Sequence, residues 1–539
     1  MTHDFTIIQD AVVIFGLSIG VILLCLKVNA PAVVGFLLTG VLAGPHGLGL
    51  VKAVEEVETL AEIGVVLLLF VIGMEISFDQ LSRLKKALLV GGGGQVGMTI
   101  AATYAACVLA GLPHAQSLFI GFLVALSSTA IVLTLLQQRA EVDTPYGRIS
   151  LSILIFQDLV IVPMMLLVPA LAGEGNDGTE TMPVMLGKMV AVFAAVAFLG
   201  KIGAPFLLKQ VVRTRSRELF LLTILTLCFA VGWLTNAAGL SLALGAFMAG
   251  MIVAESDYSH HALEGILPFR DVFTNLFFVS VGMLLDVGYF VANLPLVLAI
   301  TLAIFVLKGL TSGGAALLLG YPVGAALLTG LALAQVGEFS FVLAGVGRGH
   351  GLLTDDEYQL FLAASVATMA ATPFVIQRGR TLAALIIGWR PLSPLIRRLR
   401  HRKKATGGGK VASLSDHLII IGFGVVGRHL GRAATVIGIP YTVIEMNPDT
   451  VRDYAARGES IAYGDATREA TLAHAGIRQA RALVVTIADP AAARRITQVA
   501  RAMNPALYIA TRTRFMSEIE PLRALGADDV ASEGFITWV

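Results

Sequence analysis

Residues 149–173 form an apolar run long enough to cross a bilayer, and its only charged side chain is Asp158, preceded by Gln157. At a helical rise of ~1.5 Å per residue the carboxylate lies about 13 Å along that helix, near mid-membrane. A charge there costs at least ~2.5 kcal/mol, so it needs a role or a partner. A lone carboxylate in such a place can hold a proton or a small cation and release it again. The competing reading is a carboxyl kept protonated as a tie between helices. Lys308 is the only charge in the run 292–318. Opposite charges buried on separate helices offset each other's desolvation if they meet. Lys308 is therefore expected to pair with Asp158 in one state of a cycle and to be displaced when a cation arrives. Snorkelling to an interface is its alternative.

Two further apolar runs carry polar groups where an unbroken helix is expected. One reads Ala125-Leu-Ser-Ser-Thr-Ala-Ile131, the other Leu333-Ala-Gln-Val-Gly-Glu-Phe-Ser340. Unwinding there exposes carbonyls and half-helix ends, which can replace an ion's hydration shell. Ser127, Ser128 and Thr129 add hydroxyls; Gln335 and Glu338 add an amide and a second acid. Close helix packing alone would also account for the Ser/Thr cluster. Gly92, Gly93 and Gly94 read as tight packing rather than a phosphate loop.

The elements that must position these groups follow from hydropathy. The chain has 539 residues, 56% hydrophobic and 14% charged, with mean hydropathy +0.80. That is too apolar for a soluble protein. The apolar runs fill residues 1–390, a basic Gly/Lys-rich stretch follows at 391–414, and residues 415–539 have soluble composition. Candidate spans are 7–26, 31–50, 59–77, 87–110, 115–137, 149–173, 183–208, 218–236, 240–254, 268–286, 292–318, 323–347 and 358–376. The two polar runs fall in corresponding places of two halves, the plan of an inverted repeat with two broken helices. The segment before the first span carries no positive charge cluster, so it reads as a span rather than a cleaved leader. Loop charge sets the orientation. With the N-terminus outside, the inner loops hold Lys27, Arg83, Lys85, Lys86, Arg139, Arg148, Lys209, Arg213, Arg215, Arg217 and Arg270, and the outer loops Lys52 and Arg348. The C-terminal part is then cytoplasmic. The net charge of +2 points to no nucleic-acid partner, and Cys25, Cys107 and Cys228 show no metal spacing.

In the soluble part, the strand at 417–421 runs into Gly422-Phe-Gly-Val-Val-Gly427, and a second strand ends at Glu445. A G-x-G-x-x-G turn between strand and helix, with an acid at the end of the next strand, is a dinucleotide fingerprint. Gly422, Gly424, Val425, Val426 and Gly427 would cradle phosphate at a helix N-terminus, with Glu445 on the ribose. Strands at 461–467, 484–487 and 508–511 complete a doubly wound α/β sheet. An empty, degenerate site is the alternative. No catalytic residue follows, so a membrane-tethered oxidoreductase is disfavoured and the chain reads as no enzyme.

Phe156-Gln-Asp-Leu159, with Ser127-Ser-Thr129 and Gln335-Val-Gly-Glu-Phe339, resembles the Kef-type branch of the second monovalent cation:proton antiporter family. So do Glu255-Ser-Asp-Tyr-Ser-His-His-Ala-Leu-Glu264, Pro268-Phe and Phe277-Phe-Val-Ser-Val-Gly-Met283. The resemblance implies an α-helical polytopic membrane fold of about thirteen spans, moving elevator-like. It implies exchange of potassium for protons, sodium in some relatives, with Asp158 as the shared site and Gln157 beside it. Because Gln157 cannot ionise, one carboxylate suggests one-for-one, electroneutral exchange. The resemblance further implies a homodimer in a bacterial inner (plasma) membrane, and a regulatory role for the acidic segment 255–270. Glutathione or an ancillary regulatory subunit is an implied partner, although no residue here marks a glutathione pocket. The soluble part resembles the potassium-transport nucleotide-binding (N-terminal RCK) domain, adding Asp465, Ala466 and Thr467 as nucleotide contacts and NAD(H) or AMP/ATP as regulator. Its second subdomain is not recognisable before the chain stops, and the ending 534–539 reads as a truncation. A nucleotide-gated potassium channel is the other class, but no Thr-Val-Gly-Tyr-Gly filter is present.

Overall fold

The computed structural model describes residues 4–28, 30–75, 87–139, 141, 142, 144–173, 207–237, 242–254, 256, 258–388, 414–487, 489–513 and 516–532. The expected span at 183–208, the basic residues Arg83, Lys85 and Lys86, Glu255 of the acidic segment, most of the linker and the ending at 534–539 lie outside them or nearly so. The chain divides into two compact units. One comprises Met1–Val132, Ser152–Ala315 and Gly330–Arg378; the other comprises Leu133–Leu151, Ala316–Thr329 and Gly379–Val539.

The first unit is helical. Helices α1 (Asp4–Lys27), α2 (Ala32–Ala43) and α3 (Val54–Glu75) come first. A π-helical turn, Ala87–Gly92, leads into α4 (Gly93–Leu109). Helices α5 (His114–Ala125), α6 (Thr129–Gln138) and α7 (Pro145–Leu171) follow, with α6 and the start of α7 reaching into the second unit. Next are α8 (Arg217–Ala237), α9 (Leu242–Ala254), α10 (Ser259–Met283), the short α11 (Val287–Ala292) and α12 (Leu294–Leu318). Last come α13 (Val323–Ala332), whose residues up to Thr329 belong to the second unit, α14 (Glu338–Gly349) and α15 (Asp355–Gln377). Among the described residues, eight stretches are long and apolar enough to span: Ile8–Lys27, Val54–Met74, His114–Gln138, Pro145–Leu171, Arg217–Ala237, His261–Met283, Leu294–Leu318 and Asp355–Gln377. Ala32–Ala43, Leu244–Ala254 and Val323–Ala332 are shorter apolar helices.

With no hydrophobic drive between helices in lipid, close backbone packing must hold such a bundle. Glycines provide it here. A Cβ on Gly73 would lie 2.2 Å from the Phe247 carbonyl oxygen, so α3 and α9 meet backbone to backbone. Helix α12 shows how one face is chosen. Val297, Thr301, Ile304, Lys308, Ser312 and Ala315 repeat at helical spacing and are buried, whereas Leu298, Leu302, Val306 and Leu310 are exposed. Lys308 therefore points inward. Helix α15 starts at a capping box: Thr354 accepts from the Glu357 N–H, and the Glu357 carboxylate takes the Thr354 N–H. Helix α10 begins at Ser259, not near 268. Pro268 sits inside it rather than at its first turn, so residues 259–270 are helix and not loop.

In the second unit, after α16 (Gly379–Gly388), lies a six-stranded sheet in the order β3-β2-β1-β4-β5-β6 with every pairing parallel. Its strands are β1 (His417–Ile421), β2 (Tyr441–Glu445), β3 (Ile461–Tyr463), β4 (Ala480–Val485), β5 (Tyr508–Thr513) and β6 (Asp529–Ser532). Between them run α17 (Val425–Ile437), α18 (Pro448–Ala455), α19 (Glu469–His474), α20 (Pro490–Met503) and α21 (Ile519–Ala524). Ile419, Ile421, Leu483, Val485 and Ile509 share a core with Ile496 and Ala500 of α20 and Leu522 of α21. Strand β4 starts four residues earlier than its apolar run suggests, because Ala480, Ala482 and Leu483 also pair with β1, the register stepping past Arg481. The sixth strand is absent from the pattern reading. Only pairing with β5, from Ala510↔Asp529 to Thr513↔Ser532, makes that polar stretch a strand.

Candidate functional site

The two polar runs are indeed helix breaks, and they cross. Helix α5 ends at Ala125 and α6 begins at Thr129; α13 ends at Ala332 and α14 begins at Glu338. At the crossing the Gly337 N–H donates to the Leu126 carbonyl (3.1 Å) and the Ser127 hydroxyl to the Leu333 carbonyl (3.1 Å). A Cβ on Gly337 would lie 2.6 Å from the Ser127 carbonyl group, so only glycine lets the chains touch. Ser128 caps α6, its hydroxyl accepting from the Ile131 N–H (3.2 Å).

Each break leaves helix ends with partial charge, and buried side chains of opposite sign meet them. The fully buried Lys308 ammonium donates to the Leu126 carbonyl, just past the negative end of α5. Glu338, also buried, accepts from the Ala130 N–H (3.4 Å) at the positive end of α6. The carboxylate pairing expected of Lys308 in one state of a cycle is thus not the contact it makes here.

Asp158 lies half-buried on α7, facing the break. The Thr129 hydroxyl lies 3.1 Å from each of its carboxylate oxygens. Gln157 plays a different part. Its Oε1 accepts from the Ser127 N–H (2.7 Å), and its Nε2 donates to Gln95 Oε1 (2.7 Å) and approaches the Ser127 hydroxyl (3.4 Å). Gln335 is fully buried at the second break, and among the described residues neither amide atom has a hydrogen-bond partner. Glu338 Oε2 is likewise unpartnered. Unmatched buried oxygens at a helix break are suited to a desolvated monovalent cation or a proton.

The structure therefore brings Asp158, Gln157, Ser127, Ser128, Thr129, Lys308, Gln335 and Glu338 to the two breaks or against them. Gln95, on α4, joins the same network and was not among the expected residues. The signal it carries is that of Asp158 itself, a polar side chain inside an apolar run. Gly92 does serve close packing: its Cβ would lie 2.2 Å from that of Phe156, so the π-helical turn before α4 meets α7 closely.

A second constellation lies along the C-terminal edge of β1, β2 and β3, where open α/β sheets bind ligands. Gly422 has φ +90°, and a Cβ on Gly427 would lie 2.1 Å from the Gly422 carbonyl oxygen. A Cβ on Gly424 would meet nothing within 4 Å, so the first turn of α17, with Val425 and Val426, is open to a phosphate group. Glu445 closes on the loop: Oε2 accepts from the Phe423 N–H and Oε1 from the Asn447 N–H, each at 2.7 Å. Asp465 Oδ1 accepts from the Thr467 N–H (3.0 Å) and hydroxyl (2.6 Å), shaping the turn after β3, while Ala466 is buried in the core. Thr486, after β4, holds the carbonyls of Ile421 (2.9 Å) and Gly422 (3.0 Å). An open glycine turn with an acid beside it fits a ribose–phosphate ligand.

A family model described as "Sodium/hydrogen exchanger, transmembrane" matches residues 13–378, and one described as "TrkA-N domain" matches residues 418–533. The chain is 33% identical over 534 residues to the glutathione-regulated potassium-efflux system protein KefC of Cronobacter sakazakii, covering 98% of this chain and 83% of that one. It is 31% identical over 529 residues to the KefC protein of Salmonella typhimurium, covering 97% and 82%. Among solved structures, the sodium proton antiporter MjNhaP1 of Methanocaldococcus jannaschii superposes with a TM-score of 0.54 at 16% identity. It covers 72% of this chain and 100% of that one, a likeness of fold.

Proposed function

The chain belongs to the transmembrane sodium/hydrogen exchanger family, with a TrkA-N domain at its C-terminal end, and we propose that it exchanges potassium for protons at Asp158. It is a multi-pass membrane protein of the cation/proton antiporter kind. The observation that carries the site is the Thr129 hydroxyl, on the first turn of α6, held against the Asp158 carboxylate beside the crossed breaks.

The cycle uses one carboxylate. Asp158 binds a proton from one side, or a dehydrated cation, and the two exclude each other. Thr129 supplies an oxygen at it, Ser127, Gln335 and Glu338 supply oxygens at the two breaks, and opened backbone carbonyls complete the shell. Lys308 and Glu338 keep the half-helix ends neutral while the site is loaded and unloaded. Because Gln157 brings no charge, each turnover carries one cation against one proton and is electroneutral. The protein works as a homodimer with its N-terminus outside and the sheet domain in the cytoplasm, where NAD(H) or AMP/ATP at the glycine loop regulates exchange. The likeness to potassium-efflux proteins supports potassium as cargo.

Vesicles carrying the purified protein and a pH-sensitive dye test this. An imposed pH gradient should collapse on addition of K+, saturably, without valinomycin-sensitive charge movement. Asp158→Asn should abolish the signal in protein that remains folded. Wild-type turnover in that variant would remove Asp158 from the mechanism. Collapse with Na+ but not K+ would reassign the cargo, and flux that follows membrane potential without a gradient would mark a channel.

A further inference from the structure

We propose that Gln95 is a positioning residue for the exchange site: it sets which way the Gln157 amide faces, and so holds the α5–α6 break in shape. This rests on the reading of Asp158 as the carrier. Gln95 is fully buried. Its Nε2 donates to the Ala125 carbonyl (3.2 Å) and to the Thr99 hydroxyl (3.1 Å), and its Oε1 accepts from Gln157 Nε2 (2.7 Å). Gln157 Oε1 then accepts from the Ser127 N–H (2.7 Å). The chain of bonds begins at a backbone group that can only accept and ends at one that can only donate. Backbone chemistry therefore fixes the direction of both amides. Both termini are orphan groups of the same helix interruption, so the two glutamines bridge the break. Gln157 spends its amide on that bridge, and Asp158 next to it stays aimed at Thr129.

The titratable groups around this bridge are Asp158 on α7, Lys308 on α12, whose carbonyl accepts from Thr311, the partner of Thr99, and Glu338 across the crossing. Gln95→Leu should raise the cation KM about tenfold with a smaller change in maximal rate. Gln95→Glu keeps the shape, but it can donate to Ala125 only while protonated. Its exchange should therefore fail as pH rises, over a range in which the wild type still works. Unchanged KM in the leucine variant together with a wild-type pH profile in the glutamate variant would overturn the proposal. So would an equal fall in maximal rate in both with KM constant, since that is simple loss of folded protein. Exchange surviving in Asp158→Asn would instead remove the underlying reading, whatever the Gln95 variants do.

A separate observation in the second compact unit carries a second inference: Arg380 couples nucleotide occupancy to the α6–α7 loop. Arg380 Nη2 lies 2.8 Å from Glu141 Oε1 and 3.0 Å from Asp489 Oδ2. Glu141, whose side chain is 6% exposed, sits between the helices that bear Thr129 and Asp158, and also takes Arg139 (2.8 Å) and the Tyr146 hydroxyl. Asp489 caps α20, accepting from the Ala491 and Ala492 N–H groups. It follows Thr486, which holds the Gly422 carbonyl of the glycine loop. A nucleotide that shifts the β4–α20 connection moves Asp489, and Arg380 passes the change to Glu141.

Rates in vesicles with AMP, ATP or NADH inside and out read this directly, with nucleotide affinity measured in parallel. Arg380→Ala, and Asp489→Asn, which keeps the cap without the charge, should bind nucleotide with wild-type affinity while exchange stops responding to it. A full response in either variant would overturn the coupling. Wild-type exchange indifferent to every nucleotide would end the regulatory reading, and the coupling with it.

Discussion

The crossed helix breaks and the glycine loop of the sheet domain solve one problem in opposite ways. Both expose helix ends, where the proposed cation and nucleotide would bind. In the sheet domain the parts are local: the turn Gly422–Gly427 joins β1 to α17, and the acid that holds its Phe423 N–H ends the neighbouring strand. At the breaks Ser128 caps α6 locally, but the charged and amide partners come from elsewhere in the chain. Lys308 reaches Leu126, Gln95 reaches Ala125, and Glu338 reaches Ala130. A soluble turn can lean on water for groups left over, whereas a break inside lipid must find protein partners for them all. That difference predicts that the breaks tolerate substitution less well than the glycine loop.

Substitutions at the two regions should separate accordingly. The largest effect is Asp158→Asn, which should reduce exchange to the protein-free background with nucleotide affinity unchanged. Next is Gly337→Ala. Its methyl would sit 2.6 Å from the Ser127 carbonyl, and overpacking of that kind costs about 1–3 kcal/mol. Loss of exchange with a lowered melting temperature is expected, and a fully active, equally stable variant would mean that the breaks do not touch.

In the sheet domain the contrast falls between two glycines of one turn. Gly427→Ala collides with the Gly422 carbonyl at 2.1 Å and should destabilise the domain. Gly424→Ser meets nothing within 4 Å at a φ of −69°, so it should leave stability alone and weaken nucleotide binding about tenfold. Isothermal titration beside thermal melting distinguishes them. If Gly424→Ser lost stability and affinity together, the loop would be a structural corner and not a binding turn.

The smallest effect concerns Glu141. Burial pushes its carboxyl up, but the hydrogen bonds from Arg139 and Tyr146 and the charges of Arg139 and Arg380 outweigh it, leaving the group below the usual carboxylate range. A lowered folded-state pKa adds stability above the unfolded value of about 4.3, and that stability fades as pH falls through the folded pKa. Glu141→Gln should therefore melt below the wild type at neutral pH, and the two curves should converge on acidification below about pH 4. Parallel curves at every pH would mean that the carboxylate charge contributes nothing.

Much of this was legible in residue order. Asp158 announces itself as a charge in an apolar run, and Gly422-Phe-Gly-Val-Val-Gly427 as a strand-to-helix turn. The breaks at Leu126 and at Gln335 follow from polar groups and glycine in otherwise helical stretches. The expected span 268–286 begins late because the stretch before it, with Glu264, is polar, whereas the helix runs from Ser259. Strand β6 was missed because Asp529–Ser532 has no apolar alternation, and its pairing with β5 is what makes it a strand. Gln95 carries the signal of a polar side chain inside an apolar run, whereas Arg380 carries none that residue order distinguishes.

Sequence determined the class of chemistry: which side chains ionise, which stretches are too apolar for water, and where backbone must leave a helix. Tertiary structure decided the partners. Lys308 donates to the Leu126 carbonyl, and the Gln157 amide bonds Ser127 and Gln95, because hydrogen-bond geometry acts over about 3 Å while the residues involved lie tens to hundreds of positions apart.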